Sequence, residues 1–107
     1  KPSRTPNPMK NNNTPVILRT WKGKDCEIFA LFPTIASFVS NDLCLSYQHI
    51  GQHSSADYHH CMKHSNPARH AGEMNNLRHE LERIGYTNMN FYLRAQPWMH
   101  HQRKATP

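Results

Sequence analysis

The stretch from Asn66 to Leu93 constrains this chain more than any other, because the spacing of its apolar residues changes within it. Ala68, Ala71, Met74, Leu77, Leu81 and Ile84 recur in steps of three and four, which places them on one face of an amphipathic helix. Asn66 has the side chain of an N-cap, and Pro67 suits the first helical position, where its missing donor is not needed. Gly72 costs about 1 kcal/mol against Ala, so the regular helix is expected to settle only after it. Gly85 supplies the left-handed residue that stops a helix. Beyond it the period falls to two, with Met89, Phe91 and Leu93 on one side and Asn88, Asn90 and Tyr92 on the other. That alternation predicts a half-buried strand. A helix followed at once by a strand is expected to pack on a sheet of its own chain.

The upstream half supplies the rest of that sheet. Val16–Trp21 predicts a first strand, residues 22–25 a polar turn, and Cys26–Phe32 a second strand. Ile28, Phe29, Ala30, Leu31 and Phe32 are apolar on both faces, which places the second strand in the sheet interior. Pro33 is expected to end it and residues 34–42 to form a connecting loop. Leu43, Leu45 and Tyr47 alternate with Cys44, Ser46 and Gln48 as a third strand. Residues 54–64 fit either a short helix capped by Ser55 or an irregular excursion. The expected fold is α+β, a small mostly antiparallel sheet of about four strands in the order β-β-β-α-β, with one main helix packed on one face. The domain spans 16–95, between a disordered basic tail at 1–15 and a basic tail at 96–107 in which Trp98 has reason to fold back.

A chain of 107 residues supports one modest core. Its longest apolar run, Ile28–Phe32, is far too short to cross a bilayer, so no membrane association is expected. The first residues lack the basic, apolar and small-residue succession of a signal peptide, and the expected location is cytoplasmic. Met9 opens a run that reads as a translation start, which would place residues 1–8 upstream of it. Cys26, Cys44 and Cys61 are odd in number and lack close pairing, which speaks for reduced thiols rather than a disulfide framework. The net charge of +6 sits mainly at the ends, since Lys1, Arg4, Lys10, Arg103 and Lys104 face no acidic residue there. Basic ends can contact phosphate backbones by releasing counterions.

Nine histidines are the strongest compositional bias, and His49, His53, His59, His60, His64 and His70 crowd one region. On a helix, His60 and His64 would share a face and suit a zinc ion as cofactor, with Cys61 or Cys44 as a compatible thiolate. No paired-cysteine or His-Glu-x-x-His pattern sets a ligand count. A Cys61 nucleophile with His64 and Asp57 would need geometry that nearness in sequence does not supply. With glycines only at 23, 51, 72 and 85, neither a phosphate-binding loop nor a dinucleotide fingerprint is present. Trp21, Tyr47, Tyr58, Tyr92 and Trp98 could stack bases if they stood on an open sheet face.

The strings Ala30-Leu31-Phe32-Pro33, Cys44-x-Ser46-Tyr47-Gln48-His49-x-Gly51-Gln52-His53, Ala56-Asp57-Tyr58 and Glu80-Leu81-x-x-Ile84-Gly85-Tyr86 carry a resemblance. In them the chain resembles short uncharacterised proteins of bacterial genomes, phages and mobile elements, over roughly Val16 to Arg94. The resemblance implies a bacterial or phage cytoplasm and transfers no activity or catalytic residue. A glycine commonly follows the second histidine in those proteins, where this chain has Ser54.

These features point to a small binding or regulatory protein without catalysis of its own, and with a protein as its partner. Its expected working surface is the polar loop 48–58, where Gln48, His49, Gln52, His53, Asp57 and Tyr58 supply donors, acceptors and a flat ring. A nucleic-acid-binding accessory protein using the basic tails is the second expectation. A zinc- or cysteine-dependent enzyme using the histidine-rich 49–64 region is the third.

Overall fold

The computed structural model describes residues 14–24, 27–40, 42–48 and 51–105. At its centre lies β2 (Ile28–Ala36), whose residues Ile28, Phe29, Ala30, Leu31 and Phe32 are all at most 2 % exposed. β1 (Thr14–Trp21) runs antiparallel on one side of β2, with Ile17 opposite Leu31. On the other side β3 (Cys44–Gln48) and then β4 (Gln52–Ala56) continue the antiparallel order. Three helices complete the fold: α1 (Tyr58–Lys63), α2 (Ala71–Arg83) and α3 (Pro97–Ala105). Two short strands, β5 (Ser65–Pro67) and β6 (Met89–Phe91), share the outer edge of β1. β5 is antiparallel to Arg19–Trp21, and β6 is parallel to Thr14–Val16.

The alternation along β2 divides the core in two. Ile28, Ala30 and Phe32 join Val16, Tyr47 and the α2 residues Leu77 and Leu81 on one face. Phe29 and Leu31 join Ile17, Cys44, Ala56 and the α1 residue Cys61 on the other. The second face is closed by α3, which packs on β2, buries Met99 completely and sends the Arg103 guanidinium to the Pro33 carbonyl at 2.6 Å. Each large apolar side chain so buried contributes roughly 1.5–3 kcal/mol.

An α+β chain with a mostly antiparallel sheet is what the sequence predicts, but four strands and one main helix undercount it. The described residues form a six-stranded sheet and three helices. Asn66 and Pro67 do not start the main helix; they form β5, and α2 begins at Ala71 with no side-chain cap from His70. Pairing with the free edge of β1 supplies a ladder of backbone bonds, which outweighs a local cap worth about 1 kcal/mol. Pro33 does not end β2 either. The register with β3 slips between Phe32 and Ala36, and a proline is tolerated at such an irregularity because its missing donor interrupts no ladder bond. Residues 96–107, expected as a tail, contain α3. The strand expected over Tyr86–Leu93 shrinks to Met89–Phe91.

The helix stop is as expected. Ile84 is the C-cap of α2, and Gly85 at φ 119° follows it. The Gly85 N–H donates to Glu82 O at 3.1 Å and the Tyr86 N–H to Leu81 O at 3.0 Å, the paired bonds of a Schellman stop. The apolar stripe is narrower than its sequence spacing, because Ala71 is exposed and only Leu77 and Leu81 are fully covered.

Leu81→Ala is expected to cost about 2–5 kcal/mol and Ile84→Ala under about 1 kcal/mol, read from denaturant midpoints. Met99→Ala should cost a similar ~2–5 kcal/mol, whereas a solvated tail would give no change in midpoint.

Candidate binding surface at the third and fourth strands

β3 and β4 form a hairpin turned at Gly51, whose φ of 93° is open to glycine and whose N–H donates to Gln48 O at 2.9 Å. The ladder then runs without interruption through five facing pairs, from Gln48–Gln52 to Cys44–Ala56. Side chains facing each other across an antiparallel pair share one side of the sheet. Gln48, Gln52, Ser46 and Ser54 therefore stand on the side of α1, and Tyr47, His53, Leu45 and Ser55 on the side of α2. Of the six residues grouped as one binding loop, Gln48 and Gln52 thus stand on one face and His53 on the other, and the segment 52–56 is strand rather than loop.

Five of the six have a definite place. Gln48 donates to Ser46 Oγ at 3.3 Å, and Gln52 is exposed. His49 lies outside the described residues. Asp57 caps α1, its Oδ1 accepting from the His60 N–H at 3.2 Å. Tyr58 packs its ring against His59 and His100, and its hydroxyl accepts from the Ala95 N–H at 2.9 Å. His53 lies 2.7 Å by Nε2 from the Tyr86 hydroxyl and sets its ring edge-on to Tyr47.

The α2 side of the hairpin holds a polar network that the sequence reading did not assemble. The Tyr47 hydroxyl donates to Glu80 Oε2 at 2.8 Å, and Arg83 donates to Glu80 Oε1 through Nη2 at 2.6 Å and Nε at 3.2 Å. Tyr86, stacked on Phe32 at 4.6 Å, closes the group beside His53. The Arg83 guanidinium, followed by the Tyr47 hydroxyl, holds the Glu80 carboxyl below its usual range. Burial and the Glu80 bond push the Tyr47 phenol up, and burial alone pushes up Tyr86. The facing of Tyr47 and His53 across a glycine turn, and the three-residue step from Glu80 to Arg83, are the signals that could have located this network.

The other chemical expectations meet their geometry here. His60 and His64 do come together, with ring centroids 4.4 Å apart. Two imidazoles supply half of a tetrahedral zinc site, and among the described residues no group of three or more His, Cys, Asp or Glu side chains could hold a metal ion. Cys44 and Cys61 are buried, and desolvation pushes each thiol up to about 11. A thiol so placed is protonated near neutrality and is a poor nucleophile. Asp57 Oδ1 caps α1, and among the described residues no hydrogen bond joins the side chains of Asp57, Cys61 and His64. Both faces of the sheet carry helices. Of the five aromatics considered for base stacking, Trp21, Tyr47, Tyr58 and Tyr92 are covered or half-covered and only Trp98 is exposed. Among the described residues, no helix is long and apolar enough to cross a membrane.

A carboxyl held low stabilises the fold above its ordinary value and loses that contribution as pH falls through the lowered one. Tyr47→Phe should therefore lower the denaturation midpoint at pH 7, with the deficit shrinking as pH is taken below the ordinary 4.5. Cys44 and Cys61 should resist iodoacetamide at pH 7 in the native protein and react in urea, as counted by intact-mass spectrometry. Comparison with protein-family models, with curated proteins and with solved structures finds no match to this chain.

Proposed function

We propose that this chain is a small binding protein without catalysis of its own, and that it docks an extended protein segment along the outer edge of β4. The observation that carries this reading is the state of that edge. β4 ends the sheet, and among the described residues no strand lies outside it. Native proteins blunt such edges with charge, proline or a bulge. Gln52-His53-Ser54-Ser55-Ala56 has no Lys, Arg, Asp or Glu, no proline, and an unbroken register with β3. A strand added there would gain backbone bonds along its length and present alternate side chains to the two sides. His53 with Tyr86 flanks it on the α2 side, and Gln52 with Gln48 on the α1 side. The other five strands of the sheet stand behind β4 and hold it in place, so little ordering is needed on binding.

The test is selection of seven-residue extended peptides against the intact chain, followed by amide mapping and a proline scan of Gln52–Ser55. Proline is tolerated at edge positions whose N–H faces outward, so those variants should fold normally and lose peptide binding. Peptides that perturb other surfaces, or that bind every proline variant equally, would overturn the reading.

A further inference from the structure

The opposite edge of the sheet carries a site of different chemistry. β5 runs antiparallel to β1, pairing Ser65 with Trp21 and then Pro67 with Arg19. β6 runs parallel to it, pairing Met89 with Thr14 and then Phe91 with Val16. The two strands therefore approach each other head-on along one edge, and each must leave before reaching the other. β5 leaves through Ala68, whose N–H donates to Leu18 O at 3.2 Å, and β6 through Tyr92, whose N–H donates to Val16 O at 2.9 Å. These bonds engage the Leu18 and Val16 carbonyls, but the space between the two departing chains is not filled by a side chain of either.

What remains is a cleft of about 290 Å³ floored by Leu18, walled by Ala68 and by Phe91 with Leu93, and roofed by Met74 of α2. That is close to the smallest volume usual for ligand sites, roughly 300 Å³, and its lining is mostly apolar as such sites are. Leu93 is 76 % exposed and Phe91 45 % exposed, so two large apolar groups at its wall stand in water. Pro67 and Tyr92 also line it, and α2 adds two polar side chains, Asn75 and, one turn beyond Met74, Arg78. Among the described residues the ion pairs are Lys24 with Glu27 and Glu80 with Arg83, so Arg78 has no carboxylate, although Glu82 lies four residues on. The adjoining hollow, about 360 Å³, shares Arg78 but also carries Glu82, whose charge would repel an anion. The first cleft therefore has an apolar body, one unpaired guanidinium and one amide.

We infer that this cleft binds a small amphipathic anion, its hydrocarbon or aryl body on Leu18, Met74, Phe91 and Leu93 and its carboxylate on Arg78. Guanidinium suits a carboxylate because its fork of donors matches both oxygens. The site is independent of the β4 edge, which lies across the sheet from it.

Three probes with one tail separate the contributions: octanoate, 1-octanol and octylammonium, titrated into the intact chain and followed by amide and methyl shifts. Octanoate should bind saturably, with shifts centred on Leu18, Ala68, Met74, Phe91 and Leu93, and about tenfold tighter than octanol. Octylammonium should be weakest. Arg78→Gln, a change on a half-exposed helix face, should bring octanoate level with octanol and leave octanol unchanged. Leu93→Asn, at an exposed position the core does not use, should weaken both. Octanoate binding no tighter than octanol, indifference to Arg78→Gln, or shifts centred away from the cleft would overturn the inference.

Discussion

The five consecutive apolar residues of β2 impose the condition that the rest of the molecule meets. A strand buried on both faces needs two layers of cover, and the 13-residue amphipathic α2 supplies the first. The second layer is assembled from pieces, the six-residue α1 and the nine-residue α3. A helix as short as α1 does not persist alone, since nucleation costs more than so few bonds return. Both of its ends are therefore held. Asp57 caps the start, and at the far end the buried Arg19 of β1 donates to Met62 O at 3.2 Å, Ser65 O at 2.6 Å and Ser65 Oγ at 2.9 Å. Ser65 Oγ in turn donates to Cys61 O.

Arg19 is an unusual fastener, for its guanidinium is buried with carbonyls and a hydroxyl as partners rather than a carboxylate. Burying a charge is costly unless its donors are satisfied, and desolvation accordingly lowers its affinity for the proton. The final carbonyls of a helix carry the negative end of its dipole, so a cation there is favourable as well as bonded. One side chain thereby joins the first strand to the end of α1 and the start of β5. Arg103 repeats the device on α3 by reaching Pro33 O, where the β2–β3 register slips.

How much of this the sequence discloses follows from the range of each interaction. The apolar run of β2, the hairpin partners β1 and β3, and the glycine stop of α2 are written in periods of two and four residues and in single glycines, and they are legible. β5 is not, because Asn66-Pro67 carries a strong local helix-start signal and becomes strand only through the vacant edge of β1. β4 is not, because Gln52-His53-Ser54-Ser55 has no apolar alternation and is set by its register with β3. α3 is hidden by its composition: its anchor is the fully buried Met99, and the histidines and basic residues around it read as a tail. The candidate site fared similarly. Tyr86 meets His53, and Glu80 meets Tyr47, each across 33 residues, a distance no local pattern records.

The two edges of the sheet end in opposite ways, and this decides what each can recognise. At β4 the backbone is left open while the side chains beside it are small or polar. Unpaired backbone groups can accept any extended chain, so in the proposed complex affinity would come from main-chain bonds and selectivity only from the few flanking side chains. At β1 the reverse holds. Two strands arriving head-on, and the bonds from Ala68 and Tyr92, engage the Leu18 and Val16 carbonyls beside the gap, and what is left over is a hollow in the side-chain packing next to a guanidinium. A hollow of that kind reads shape and charge and is indifferent to polypeptide. The difference arises from strand direction alone: had β6 run antiparallel like β5, it would have moved away from Leu18 rather than toward it, and the gap would not be bounded by two chains turning outward.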